Sequence, residues 1–216
     1  MVKAAPPSGN PAGGTDLAGV LAFALKKYGQ RTDDMLPAKV LSYDRATNVA
    51  KVLPVIPGVT TANEVVQKAI VASVPVLQLG CGFGLLSFPL EAGDLGWIKA
   101  NDRDISQFKK TYSNASGPPT QRTHSFEDAM FIPDNMMRGV TLADDGICLQ
   151  NAAGTAAVII TLDGEVKIIS AEKITFTSPE IFFDSTNCNM GGVRFNTHHH
   201  TGVQTGGGQT GGPVNP

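Results

Sequence analysis

Between Val140 and Phe195 the apolar side chains recur with a period of two rather than 3.6, and that regularity limits the segment to strands. Val158, Ile160, Leu162, Val166, Ile168, Ile174 and Phe176 share one parity, interrupted at the turn signal Asp163-Gly164 and at the bend marked by Ser170 and Glu172. Asp163, Glu165, Lys167, Lys173, Thr175 and Thr177 take the other parity, as a solvated face would. The even-numbered face is therefore expected to be the buried one. After Pro179 the apolar positions become Ile181, Phe183, Val193 and Phe195; one proline or bulge is enough to shift the register in this way.

Short strands without long loops leave edges whose unpaired N–H and C=O groups are templates for another chain. Two arrangements satisfy them: an intramolecular β-sandwich, or three copies winding about one axis. In the second, about ten apolar side chains per chain become buried. At roughly 1.5–3 kcal/mol each, the gross gain is on the order of 15–30 kcal/mol before conformational entropy is subtracted. Such a stalk is not expected to stand as a monomer.

The segment Thr197 to Pro213 is made of Gly, Thr and Gln around His198, His199 and His200, and this composition cannot bury a core of its own. In an extended backbone His198 and His200 point one way and His199 the other. One such pair is too few to hold a metal firmly, whereas three parallel copies gather six imidazoles. A plain tail is the alternative; a purification tag usually has six or more histidines. If Val193 and Phe195 face the axis, strict alternation turns Thr197 and His199 inward, and a twist at Asn196-Thr197 is needed to bring His198 and His200 there.

The first half of the chain reads differently. Residues 1–14 are a Pro/Gly-rich arm. Thr15 and Asp16 then precede a short amphipathic helix with Leu17, Val20, Leu21, Phe23, Ala24 and Leu25, closing near Lys26-Lys27 and Gly29. Its apolar run is too short to span a bilayer and fits a signal peptide poorly. Over residues 36–112, Leu36 to Asp44 and Val49 to Val55 form a hairpin around the turn Asp44 to Asn48. Further strands are expected at Val74 to Leu77, Gly84 to Phe88 and Asp94 to Ala100. About five strands in so short a span suggest a small Greek-key barrel of the oligomer-binding (OB) type. Ser113 to Pro119 mark a linker, and His124 reads as a loop residue.

Composition removes several function classes. With 17 basic against 19 acidic residues, and 10 Phe, 3 Tyr and 1 Trp, the chain lacks the basic groove interleaved with aromatics that single-stranded nucleic acid requires. Lys109-Lys110 is a weak substitute for one. Cys81, Cys148 and Cys188 have no metal or redox spacing and agree with a reducing cytoplasm. Gly80 to Gly84 lacks the Lys-Ser/Thr ending of a phosphate loop and reads as a turn. Asp33-Asp34 and Asp144-Asp145 are adjacent pairs whose side chains diverge in extended structure, so solvation is expected. No catalytic residue, nucleic-acid partner or small-molecule substrate is expected.

In this order the parts resemble the central spike of contractile-tailed bacteriophages. The residues that carry the likeness are Leu36 to Val40 with Tyr43-Asp44, Gly93-Asp94 with Trp97, Asn101 to Ile105, Arg122 to Asp128, and the terminal segment Thr197 to Pro213. The resemblance implies an all-β chain organised as arm and helix (1–31), OB-fold barrel (32–112), linker (113–135), intertwined triple-stranded β-helix (136–196) and metal-binding tip (197–216). It implies a homotrimer in the virion, at the tail tip or baseplate, assembled in the host cytoplasm. The barrels would dock on the tail tube or baseplate hub, and the tip would pierce the host outer membrane. It further implies one structural iron ion per trimer, held by His198 and His200 of each chain. A non-puncturing trimeric hub or cap is the rival reading. An enzyme is less favoured, because no segment between barrel and stalk is long enough for a lysozyme-like domain.

Overall fold

The barrel follows from where the alternating β-branched runs and the turn residues fall. A computed structural model describes residues 17–60, 64–113, 117–136, 139 and 146–194. The chain divides into two units, 1–144 and 145–216. The first opens with the expected helix, α1 (Leu17–Arg31). There follow β1 (Met35–Asp44), β2 (Val49–Pro54), β3 (Gly58–Val59), β4 (Val65–Val66), β5 (Val71–Pro75), β6 (Leu79–Cys81), β7 (Gly84–Leu86), β8 (Leu95–Asn101), α2 (Phe108–Thr111) and β9 (Ser125–Pro133). Five strands make one sheet in the order β5-β2-β1-β8-β9. Its edges meet again where Val76 bridges Phe131 in parallel, and the Leu77 N–H donates to the Phe131 carbonyl at 2.8 Å. The result is a nearly closed barrel.

Its interior is filled by alternate residues of each strand: Ala38 and Val40, Ala50 and Val52, Val74 and Val76, Ile98 and Ala100. Phe131 and Phe126 complete it from β9. Each fully buried Val, Ile or Phe contributes about 1.5–3 kcal/mol of transfer free energy. The turn between β1 and β2 is fixed by Asp44, whose carboxylate accepts from the Ala46 N–H at 2.9 Å and the Thr47 hydroxyl at 2.7 Å. This leaves Asn48 in the left-handed region at φ 54, which Asn tolerates. The Asn48 amide then donates to the Val76 carbonyl at 2.7 Å, tying the turn to the strand that closes the barrel.

Two expectations change here. The stretch 113–135, read as linker, contains β9, the fifth strand of the sheet, while Gly84 to Phe88 belongs to a separate β6–β7 hairpin. The alternation of β9 is broken: Phe126 and Asp128 point inward, then Ala129 and Phe131, across an irregularity in its register with β8. A bulge and a buried carboxylate conceal the period of two.

In the second unit β10 (Ile147–Gln150), β11 (Ala156–Ile160) and β12 (Val166–Ser170) form an antiparallel meander. β13 (Asn189–Met190) and β14 (Val193–Arg194) form a hairpin across Gly191 and Gly192, at φ 59 and 86. Two successive left-handed residues match the twist of a tight hairpin, and glycine takes that geometry without strain. Within the single chain burial falls on the odd parity instead of the even one. Ala157 and Ile159 are buried, Ile159 to 4 % exposure, whereas Val158 and Ile160 on the even-numbered face are 41 % and 44 % exposed. Leu162, Val166, Ile168, Ile174 and Phe176 are exposed with them. Within one chain the apolar face that the sequence marks for burial is uncovered.

Candidate assembly surfaces

The barrel has two chemically distinct ends. Asp34, just before β1, accepts the Ala100 N–H at the close of β8, and the Asp33 N–H donates to the His124 carbonyl just before β9. At the other end β8 begins beside the close of β9, with Gly96 opposite Pro133. The β1–β2 turn and the β6–β7 hairpin lie there too, joined by Arg45 Nη2 donating to Ser87 Oγ at 3.3 Å. Since β5 and β9 run parallel, both strands leave the barrel at that end. Trp97 Nε1 donates to Asp134 Oδ2 at 2.7 Å where the chain departs.

The first end is charged. Asp33 and Asp34 each face their own lysine, Lys68 at 2.5 Å and Lys99; Asp34 stays solvated as expected, at 71 % side-chain exposure, whereas Asp33 is half-buried. The segment between β8 and β9 is fastened by Arg122. Its guanidinium reaches Asp128 at 2.7 Å, Glu127 at 2.6 Å and Asp104 at 3.4 Å. Asp128 is 1 % exposed and also accepts the Ile105 N–H at 3.2 Å, while Asn101 Nδ2 donates to its carbonyl at 2.5 Å. Hydrogen bonds from Ser106 and Thr120, then the charge of Arg122, hold Asp104 well below the usual carboxylate range. The bond to Asp128 correspondingly raises Arg122. The segments Asn101 to Ile105 and Arg122 to Asp128 thus meet in one polar network, and nothing in their spacing announces it. A buried Asp two residues from a buried Phe in a strand pattern is the signal that points to it.

The other end carries an apolar hairpin beside the charged residues Arg45 and Asp134. From Ala69 to Leu90 the sequence has no charged residue. The β6–β7 hairpin projects Phe83 at its tip, 98 % exposed, with Leu79, Leu85, Leu86 and Phe88 also exposed. Leu79 pairs with Leu86 and Gly80 with Leu85, so both faces of the hairpin carry leucine. Gly80 itself is pressed against the backbone of Gly84 and Leu85, where any Cβ would collide. The Gly80 to Gly84 stretch is the turn that sequence suggested, with an apolar tip in place of a phosphate cradle.

The second unit carries a further device, of which sequence reading marked only the first member, the bend at Ser170 and Glu172. Ser170, Ser178 and Ser185 each accept, through Oγ, the N–H two residues on, from Glu172, Glu180 and Asn187 at 3.3, 3.3 and 3.1 Å. Each hydroxyl also donates to a carbonyl just beyond, that of Lys173, Glu180 or Asn187. Spaced eight and seven residues apart, these serine turns divide the chain from β12 onward into short extended edges. Exposed Ile174, Phe176, Ile181, Phe182 and Phe183 lie on those edges. The repeat of serine between β-branched or aromatic runs was the available signal.

Of the other residues singled out, Lys109 lies in α2 and donates to the Glu127 carbonyl at 3.1 Å. His124 sits at φ 48 with Nδ1 3.9 Å from Asp102, a loop residue at the charged end. Cys81, Cys148 and Cys188 are free thiols. Among the described residues no three His, Cys, Asp or Glu side chains group as a metal site. His198, His199 and His200, with Asp144 and Asp145, lie outside the described residues. Residues 36–134 match the family of the phage protein Gp138 N-terminal domain. Residues 192–214 match the GpV apex motif. No curated protein matches the chain.

Proposed function

Because this chain is a baseplate central-spike protein of a phage tail, we propose that it acts mechanically, as a homotrimeric spike that docks through its barrels on the tail tube or baseplate hub and pierces the host outer membrane when a contractile tail drives it forward. The families matched are structural ones, and the reading is of a protein that performs no catalysis. The observation that carries it is the uncovered face of the second unit. Val158, Ile160, Val166, Ile168 and Phe176 are apolar at alternate positions yet exposed in one chain, and contiguous apolar surface of this extent marks an interface. Three copies wound about one axis would cover those faces and pair the free strand edges, giving the intertwined β-helix. The OB-fold reading of the first unit is supported by the strand order β5-β2-β1-β8-β9 and its parallel closure.

At the apex, His198 and His200 of each chain are the residues we assign to one structural iron ion. The match of residues 192–214 to the apex motif supports the location. Six equivalent imidazole nitrogens suit an octahedral first-row ion such as iron better than zinc, whose structural sites are tetrahedral. The ion would pin three chain ends that have no core. Size-exclusion chromatography with light scattering and inline elemental analysis tests both parts: three chains with one iron are expected, and a metal-free monomer defeats the reading. In His198→Ala with His200→Ala the metal should be lost and the trimer kept. Stoichiometric iron in that variant overturns the ligand assignment.

A further inference from the structure

The β6–β7 hairpin is an apolar finger with no occupant in its own chain. We propose that three copies of this hairpin pack against one another about the threefold axis, forming a second intersubunit contact at the barrel end from which the stalk departs. The proposal rests on the trimeric reading above and adds where the first unit joins the assembly.

Three observations favour another copy of the chain as the occupant. The first is topology. The parallel closure of β5 on β9 sends the hairpin and the chain beyond Asp134 out of the same end of the barrel. Gathering three stalks at one axis therefore draws these three ends together, and α1 enters at the opposite end. The second is charge. Equivalent residues face each other across a symmetry axis, so a like-charged surface repels itself there. The stretch 69–90 has no charge to oppose. The exposed stripe of α1, with Leu17, Leu21 and Leu25, ends in Lys26 and Lys27 without an acidic residue, and it would set those lysines against their own copies. The third is that both hairpin faces are apolar. A finger lying on a flat surface needs one apolar face, whereas a finger flanked by two neighbours needs two. Phe83 alone offers on the order of 200 Å² to cover, against about 800 Å² per partner in a standard interface.

Cys81, exposed on the hairpin, reports the contact in the full-length protein. In a Cys148→Ser, Cys188→Ser background a short bismaleimide should link Cys81 between copies, while light scattering reports three chains. Adding Phe83→Asp should reduce that cross-linking at least tenfold without changing the mass. A trimer in which Cys81 does not cross-link, or cross-links equally with Phe83→Asp, overturns the hairpin contact and leaves the trimer standing. A monomer removes both. Flotation on phosphatidylethanolamine and phosphatidylglycerol vesicles, dependent on Phe83 and accompanied by loss of the Cys81 link, would assign the finger to lipid and likewise overturn the proposal.

Discussion

Arg122 is the residue on which most of the charged barrel end converges. It faces Asp128, Asp104 and Glu127 together. Arg122→Ala would leave the carboxylates of Asp104 and Asp128 without their cation, so the barrel should be less stable. A lower urea midpoint with unchanged slope is the expected observation. The acid side follows from Asp104. Its folded pKa lies below the ordinary aspartate value, so the unfolded chain takes up the proton first as pH falls. Its contribution is fully present above about pH 4 and disappears as pH drops through the depressed value. The gap in midpoint between wild type and Asp104→Asn should therefore stay constant from about pH 7 to pH 5 and close only below about pH 4. A gap that closes near neutrality would contradict the assignment.

At the scale of elements, the two faces of β11 separate folding from assembly. Ile159 is buried within its own chain, whereas Val158 is 41 % exposed. If the proposed trimer forms through the even face, Val158→Asp should leave the meander's circular dichroism intact while reducing the mass in light scattering to that of one chain. Ile159→Asp should damage both. Much of this architecture was readable in the residues. The helix at Leu17, the hairpin around Asp44 to Asn48 and the turn at Asp163-Gly164 are local signals, and each forms where expected. β9 escaped because Asp128 and the shift to Ala129 break its period, and its membership depends on contacts with residues about thirty positions earlier. The even face of the stalk was marked as apolar, with its cover left open between the same chain and other copies, and in the single chain that face is exposed. Periodicity reveals which side must be dry, and not whose side chains dry it. Gly96 carries no pattern at all, yet its close approach to Phe131 and the Ile132 carbonyl permits no Cβ.

For the whole molecule, the division into two units makes truncation informative. Without residues 145–216 the barrel retains its complete core, so the truncated chain should fold, with weakened association measured by sedimentation. A truncated chain that is a fully stable trimer would move the determinant of assembly into the barrel alone. Charge and composition constrained this level only by exclusion, and the terminal histidines lie outside the described residues.

The parallel closure of β5 on β9 also sets how the barrel meets force. A pull on the chain at Asp134, directed along the axis of β9, is met by that strand first. Hydrogen bonds to β8 lie across that axis, from Gly96 opposite Pro133 to Asn101 opposite Ser125. Tension therefore strains the ladder in shear, many bonds at once, instead of peeling them singly from one end. With the barrel's closing contact at Phe131 lying along the same strand, that strand is clamped on both flanks against sliding.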